Sequence, residues 1–241
     1  MVTMSSPQLQ AAFVIHQRPF RNTSAIVEVF SEQHGRLGLL ARGLRAPRSR
    51  WRGVLQPYQG LLLSWRGRGE LPTLSQAEIS GPCCLFQGRR LFSALYLNEL
   101  LLRLTHRHDP MPELFTCYRQ ALLALQEGDE ATVLRLFERD LLKHIGYELV
   151  LDQTADDGAL LEPDERYQYR PGHGLVRSQD PQAFAGEALL AFAAGRLDSA
   201  ASRDCARRLM RQVLAPLLAG KPLHSRLLYA DYRRRTARSK A

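Results

Sequence analysis

The sequence changes character once, at Gly81-Pro82, and this change limits the possible folds more than any other feature. Before it, short apolar runs are broken by glycine, proline, asparagine and serine, a pattern typical of β-strands joined by tight turns. After it, leucine-rich stretches show the spacing of amphipathic helices. A chain of 241 residues is long enough for more than one hydrophobic core. We therefore expect an α+β protein with a β domain followed by a helical domain.

The first part of the chain predicts five strands. They lie near residues 12–17, 24–31, 36–44, 58–66 and 72–79. Gln33-His34-Gly35 predicts a tight hairpin between the second and third strands, because Gly35 can adopt a positive φ without strain. Five short strands within about 70 residues favour a small closed barrel of the OB type over a sandwich.

The second part predicts five helices. An aspartate followed by two prolines and a glutamate, at Asp109–Glu113, resembles a helix cap and first turn. Glycines at 128 and 146 are expected to end the helices that precede them. The predicted helices are 88–107, a second one from the cap to about Gln126, Glu130–Ile145, 186–194, and 199–219 with Pro216 in its last turn.

A polar stretch at residues 149–178 interrupts the helical pattern. It contains two short strand-like runs, Tyr167–Tyr169 and Gly174–Val176, on either side of Pro171-Gly172. A small exposed hairpin is the simplest interpretation. The predicted organisation is a flexible tail at 1–10, an OB-fold domain at 11–80, a helical domain at 81–225 with the hairpin insertion, and a basic C-terminal segment at 226–241.

The net charge of +9 is concentrated at the two ends of the chain. Residues 1–80 contain ten arginines and four acidic residues, and residues 225–241 contain six basic residues and one acidic residue. Such asymmetry indicates a polyanionic partner, with nucleic acid favoured over an acidic membrane or peptide. A basic surface that only aids solubility is the alternative.

The long loop between the third and fourth strands carries the strongest functional signal. Guanidinium groups neutralise phosphates and aromatic rings stack on unpaired bases, so arginines with aromatic neighbours predict a groove for single strands. Trp51 has a second interpretation, as a core residue, which the sequence leaves open. The C-terminal arginines form a second candidate, although charge runs at chain ends are usually disordered. The predicted DNA-binding residues are Arg36, Arg42, Arg45, Arg48, Arg50, Trp51, Arg52, Tyr58, Arg233, Arg234 and Arg235.

The sequence contains no clear pattern for catalysis or metal binding. The four cysteines form no C-x-x-C pair, and adjacent Cys83 and Cys84 cannot easily share one tetrahedral ion. His106-x-His108 is expected at a helix end, where a cation is favourable without any metal. The common hydrolase, metalloprotease and nucleotide-binding motifs do not occur. We expect a non-enzymatic protein without cofactor or metal.

Hydropathy and the N-terminal residues predict the cellular location. No apolar run approaches the roughly 20 residues that a membrane-spanning helix needs. The first ten residues lack the basic start and apolar core of a secretory signal. We expect a cytoplasmic, nucleoid-associated protein that does not bind membranes.

Several phrases of the sequence, taken in order, resemble the bacterial RecO family. They run from about residue 11 to residue 230, and each is weak alone, but their order and spacing are hard to obtain by chance. The phrases are Phe13-Val14-Ile15, Arg18-Pro19-Phe20, Thr23-Ser24, Phe30, Gly35-Arg36, Ala41-Arg42-Gly43, Arg45, Leu55–Tyr58, Tyr96–Leu100, Phe137-Glu138, Leu141-Leu142, Gly146-Tyr147, Gly220–Leu223 and Ser225-Arg226.

This resemblance implies an OB-fold followed by a helical domain, and a role in DNA repair and recombination. The implied activities are binding of single- and double-stranded DNA, annealing of complementary strands, and indirect help in loading RecA onto strands coated by single-strand-binding protein. RecR and the acidic, hydrophobic C-terminal tail of single-strand-binding protein are the implied partners. That tail needs an apolar pocket with a cation at its rim, for which Arg135, Phe137, Arg139 and Leu141 are weak candidates.

One departure from the family concerns zinc. Many relatives carry a four-cysteine zinc module where this chain has residues 149–178, and no cysteine occurs there. We therefore predict that the insertion holds together by packing alone. The alternatives to a DNA-repair mediator are an RNA-binding OB-fold protein of translation and a small nuclease on an OB scaffold.

Overall fold

The structure is a computed structural model that describes residues 8–67 and 69–238, without the side chains of Pro82 and Arg238. The flexible tail predicted for residues 1–10 lies largely outside the described residues. Gln10 already begins the first strand, so the tail is shorter than predicted at its C-terminal side.

Five strands form a closed barrel, which confirms the predicted fold class. The order around the barrel is β1-β2-β3-β5-β4, with all pairs antiparallel except β3 with β5. Alternate aliphatic side chains fill the interior. The strands are β1 (Gln10–Phe20), β2 (Ser24–Ser31), β3 (Gly35–Ala41), β4 (Gln59–Arg66) and β5 (Thr73–Cys83).

The hairpin between β2 and β3 is confirmed, and Gly35 has a second role there. Its φ is +62°, as the predicted turn requires. A Cβ at this position would lie 1.9 Å from the carbonyl oxygen of Asp109. Any other residue would therefore strain the turn and push away the segment that follows the first helix.

Three helices pack with the barrel in one compact unit, which comprises the chain up to Glu127 and from Leu223 onward. Phe13 and Phe30, on the outer face of β1 and β2, contact the rings of Phe115 and Tyr118. Because Phe115 and Tyr118 cover the outer face of β2 while the barrel core covers its inner face, nearly every side chain of this strand is buried. The helices are α1 (Gly88–Leu104), α2 (Pro112–Glu127) and α6 (His224–Arg238).

The last helix is capped by a side chain from the first. Glu99 of α1 accepts hydrogen bonds from the backbone N–H groups of His224 and Ser225, at 2.8 and 2.9 Å, and from the Ser225 hydroxyl at 2.7 Å. Burial alone raises the pKa of Glu99, but these hydrogen bonds and the charge of Arg103 lower it below its usual value. A charged carboxylate therefore holds the start of α6 against α1.

The second compact unit is Gly128–Pro222. It contains a three-stranded sheet of order β7-β6-β8, so the predicted hairpin gains a short third strand. Tyr167, Leu175 and Phe184 are buried, which means that the insertion contributes to a core instead of lying exposed. Its elements are α3 (Glu130–His144), β6 (Arg166–Arg170), β7 (Gly174–Arg177), β8 (Phe184–Ala185), α4 (Gly186–Ala193) and α5 (Ala200–Leu217).

Two sequence predictions are wrong in local detail. Asp109 does not cap α2, because this helix begins at Pro112 and the backbone of Asp109 instead meets the β2–β3 turn. The basic C-terminal segment is helical up to Arg238, because α6 gains packing that a free charge run lacks: Tyr229 and Tyr232 contact Phe92 of α1. Lys240 lies outside the described residues.

Candidate nucleic-acid interface

A groove with basic walls lies at the end of the barrel where β1 turns into β2 and β3 leads into the long loop. Its volume is about 460 Å³. The amide of Gln17 on β1 donates to the carbonyl oxygen of Leu55 at 2.7 Å and so ties the loop to the barrel. The lining residues are Gln17, Arg18, Pro19, Ala25, Leu44, Arg45, Arg52, Leu55, Gln56 and Pro57.

The arginines around this groove have no carboxylate partners among the described residues. Arg45 donates to the carbonyl oxygen of Arg21 at 3.3 Å, and Arg52 donates to that of Ala46 at 3.1 Å. These contacts orient the guanidinium groups but leave their charge uncompensated. We define the arginine face as the exposed residues Arg18, Arg21, Arg42, Arg45, Arg48, Arg50 and Arg52.

Two members of this face, Arg18 and Arg21, were not among the predicted site residues. They belong to the turn region between β1 and β2, which is separated from the long loop in sequence by β2 and β3. The sequence does contain a signal for their position, because consecutive short strands usually pair antiparallel. In such a meander the β1–β2 turn lies at the same barrel end as the last residue of β3, so Arg18 and Arg21 would be expected beside the long loop.

The structure contradicts the predicted stacking role of Trp51 and Tyr58, because each is only 6% exposed. Trp51 belongs to the barrel core, and its indole N–H donates to the carbonyl oxygen of Arg42 at 3.1 Å. The guanidinium of Arg50 lies over its ring, 4.1 Å from the centroid. Tyr58 packs edge-on against Phe86, and burial raises the pKa of its hydroxyl. Neither ring is available to a base.

Arg36 also differs from its prediction. It forms an ion pair with Glu28 at 3.8 Å and donates to the carbonyl oxygen of Thr105 at 2.9 Å. Arg107 contacts the same glutamate. Burial lowers the pKa of Arg36, with Glu28 opposing and Arg107 adding to the shift. Arg36 therefore links the barrel to the segment after α1 and is not part of the arginine face.

The predicted C-terminal arginines are exposed on α6. Arg233 and Arg235 have no carboxylate partner among the described residues, whereas Arg234 pairs with Asp231 on the same helix. A helix presents these charges at fixed spacing, which a disordered tail does not. They form a second basic surface in the same compact unit as the barrel.

The candidate partner-binding residues on α3 are mostly internal. Phe137 and Leu141 are buried, and Arg135 is buried with its guanidinium 2.7 Å from the Glu138 carboxylate. Arg139 donates to the carbonyl oxygens of Phe192 and Ala193, at 3.1 and 3.2 Å, at the end of α4. The buried side chains of Arg135, Phe137 and Leu141 hold the second unit together and cannot line a docking pocket, whereas Arg139 lines a cavity of about 420 Å³ with Leu149 and Val150. Docking of the tail of single-strand-binding protein in this region stays a prediction.

Within the described residues, no group of three or more histidine, cysteine, aspartate or glutamate side chains is placed to hold a metal ion. No helix there has the length and apolar character needed to span a membrane.

Comparison with known proteins places this arrangement in a family. A model described as "Recombination protein O N terminal" matches residues 4–83, and one described as "Recombination protein O C terminal" matches residues 85–227. The chain belongs to the RecO family. Curated relatives named "DNA repair protein RecO" include those of Nitrosococcus oceani (46% identity, 94% of both chains), Marinobacter nauticus (41%, 92% of this chain and 94% of the relative) and Methylococcus capsulatus (44%, 92% of both).

The RecO family models meet where β5 ends, at residues 83–85. The first covers the barrel and the arginine face. The second begins before α1 and reaches into α6, so it includes parts of both compact units. The candidate interface thus lies almost entirely within the N-terminal RecO region, and only Arg233, Arg234 and Arg235 of α6 lie outside both models.

Proposed function

We propose that this chain is a non-enzymatic recombination mediator in DNA repair. It binds single- and double-stranded DNA, anneals complementary strands and helps load RecA onto single strands coated by single-strand-binding protein. The observation that carries the proposal is the arginine face at one end of an OB barrel, whose seven guanidinium groups are exposed and have no carboxylate partner within the described part of the chain. Membership of the RecO family, whose curated relatives are named as DNA repair proteins, supports the same role.

The proposed mechanism is electrostatic. Phosphates of one strand bind along the arginine face, and each contact releases condensed counterions. Neutralising the backbone lowers the repulsion between two strands and lets a complementary strand approach. No covalent step is required, so annealing should proceed without ATP. Family membership supports RecR and the tail of single-strand-binding protein as partners in RecA loading.

A fluorescence annealing assay tests this proposal. Two complementary oligonucleotides are coated with cognate single-strand-binding protein and mixed with or without the full chain, in the absence of ATP. We expect accelerated annealing that fades as salt is raised. Tight DNA binding without acceleration would contradict the mediator role and favour a binding protein with another purpose.

The RNA-binding alternative predicts that the chain binds RNA more tightly than DNA. Stacking and phosphate contacts alone do not read the 2′-hydroxyl, which is the group that distinguishes RNA from DNA. Competition between DNA and RNA oligonucleotides of the same sequence measures this directly. A preference for RNA would favour the translation role over DNA repair.

The nuclease alternative requires carboxylates that are free to hold metal ions or a nucleophile. Glu28, one of four acidic residues before Gly81, instead forms ion pairs with Arg36 and Arg107. Incubation of the full chain with labelled single-stranded DNA and Mg²⁺ tests this alternative. Intact DNA is the result expected of a mediator.

A further inference from the structure

A second groove lies at the opposite end of the barrel from the arginine face. It is lined by Gln8, Gln10, Gln33, His34, Ser64 and Trp65 and has a volume of about 450 Å³. The β2–β3 turn and the arginine loop flank the two ends of β3, which has seven residues. At about 3.4 Å per residue, the two sites are roughly 20 Å apart along the barrel.

The groove contains an aromatic platform. Trp65 packs partly against the barrel core and keeps part of its surface exposed. His34, on the exposed turn, meets it edge to face, with ring centroids 5.1 Å apart and an angle of 86° between the planes. The indole N–H of Trp65 donates to no described residue. This ring is therefore anchored by the core and by His34, and part of its surface lines the groove.

The remaining walls are polar and have unused hydrogen-bonding capacity. Gln10 is 8% exposed and contributes a carboxamide to the groove wall. A carboxamide can donate hydrogen bonds to a polar ligand or accept them from it. Gln33 adds a second, exposed amide. Ser64 is already engaged by Ser75 at 2.9 Å.

We propose that this groove, defined here as the Trp65 groove, binds an unpaired nucleobase of single-stranded DNA. A flat ring with both donors and acceptors on its edge matches a tryptophan face beside carboxamide groups, and carboxamides serve either role without selecting one base. The lining residues that the structure describes are aromatic or polar and uncharged apart from His34, which suits a base better than a phosphate. This inference rests on the proposed DNA-binding function and adds to it a preference for unpaired over paired DNA.

The probe is a pair of oligonucleotides of equal length and charge, one of oligothymidylate and one of abasic spacers. Their binding to the full chain is compared by fluorescence anisotropy. We expect the wild type to bind the base-containing strand more tightly. Loss of one stacked base by Trp65→Leu should cost about 5- to 150-fold in affinity for that strand. Its affinity for the abasic strand and its salt dependence should stay unchanged.

Because Trp65 is partly buried, its replacement could weaken binding by destabilising the barrel, and a second variant distinguishes this from loss of the groove. The double variant Gln33→Ala/His34→Ala changes only exposed side chains of the turn and should also reduce the base preference. Tyr147→Ala, which removes an exposed aromatic from the other unit, is the matched control and should retain it.

Tryptophan fluorescence gives an independent readout, since the chain contains only Trp51 and Trp65. Stacking should quench Trp65, so Trp65→Phe should lose the quenching that oligothymidylate causes in the wild type. A wild type that binds both oligonucleotides equally, or quenching that persists in Trp65→Phe, would overturn the Trp65 groove while leaving the arginine face intact. A wild type that binds neither oligonucleotide would overturn the proposed function as well.

Discussion

The loop between β3 and β4 and helix α3 both place arginines beside aromatic side chains, but in opposite environments. In the loop, Arg45 and Arg48 are exposed and have no carboxylate partner among the described residues. In α3, Arg135 is buried against Glu138, which is completely buried. The difference shows that burial and carboxylate pairing decide whether an arginine is available to phosphate. The number of arginines in a segment does not.

The largest expected effect on the free energy of unfolding comes from the buried arginine of α3. Arg135→Ala removes the cation beside buried Glu138, and breaking a buried ion pair typically costs about 3–5 kcal/mol. Urea denaturation followed by circular dichroism measures the loss in the free energy of unfolding. The double variant Arg135→Met/Glu138→Leu should recover much of it, since neither charge then remains. A single-variant loss below about 1 kcal/mol would mean that Arg135 resembles the loop arginines.

An intermediate effect on stability is expected within the loop, at the buried ring of Trp51. Trp51→Phe removes the hydrogen bond to the Arg42 carbonyl and leaves a gap in the barrel core, at a cost of about 1–3 kcal/mol. DNA affinity should be unchanged at temperatures where the variant is folded. If the variant instead bound DNA more weakly while its stability was unchanged, Trp51 would stack on a base, as the sequence predicted.

The smallest effect on stability is expected from the exposed loop arginines. Replacing Arg42, Arg45 and Arg48 with alanine should change the free energy of unfolding by less than about 0.5 kcal/mol. The slope of log affinity against log salt for single-stranded DNA should become shallower by about 2, since each lost phosphate contact removes about 0.7.

A matched control removes the same charge from the other unit. Arg196, Arg207 and Arg211 are exposed there, and their triple alanine variant should leave the slope nearly unchanged. An equal change of the salt slope in both triple variants would mean that DNA affinity depends on net charge and not on the arginine face. An unchanged slope in the loop variant would place the DNA elsewhere, with α6 as the next region to test.

Much of the fold followed from local patterns in the sequence. Alternating apolar residues defined the barrel strands, and Gly35 marked a turn whose positive φ only glycine adopts without strain. The helices of both units followed from their apolar spacing, except α6, which was expected only as a basic segment. These features depend on neighbours within a few residues, which is why they are readable without a structure.

The candidate site was predictable only in part. Exposed arginines in a long loop indicated a phosphate-binding surface, and the loop does form one wall of the basic groove. Arg36, in contrast, meets Glu28 on the adjacent strand β2 and Thr105 just after α1. The Thr105 contact joins residues 69 positions apart, which no spacing rule along the chain indicates, so this structural role was not visible.

The sequence by itself determined the order of strands and helices, the concentration of positive charge at the chain ends and the resemblance to the RecO family. Tertiary structure decided which of those charges and rings are accessible. Trp51 and Trp65 are the same residue type on the same barrel, yet closure of the barrel buries the first and leaves the second partly exposed beside His34. Burial is set by contacts between residues far apart in sequence, so only the folded chain assigns one ring to the core and the other to a groove.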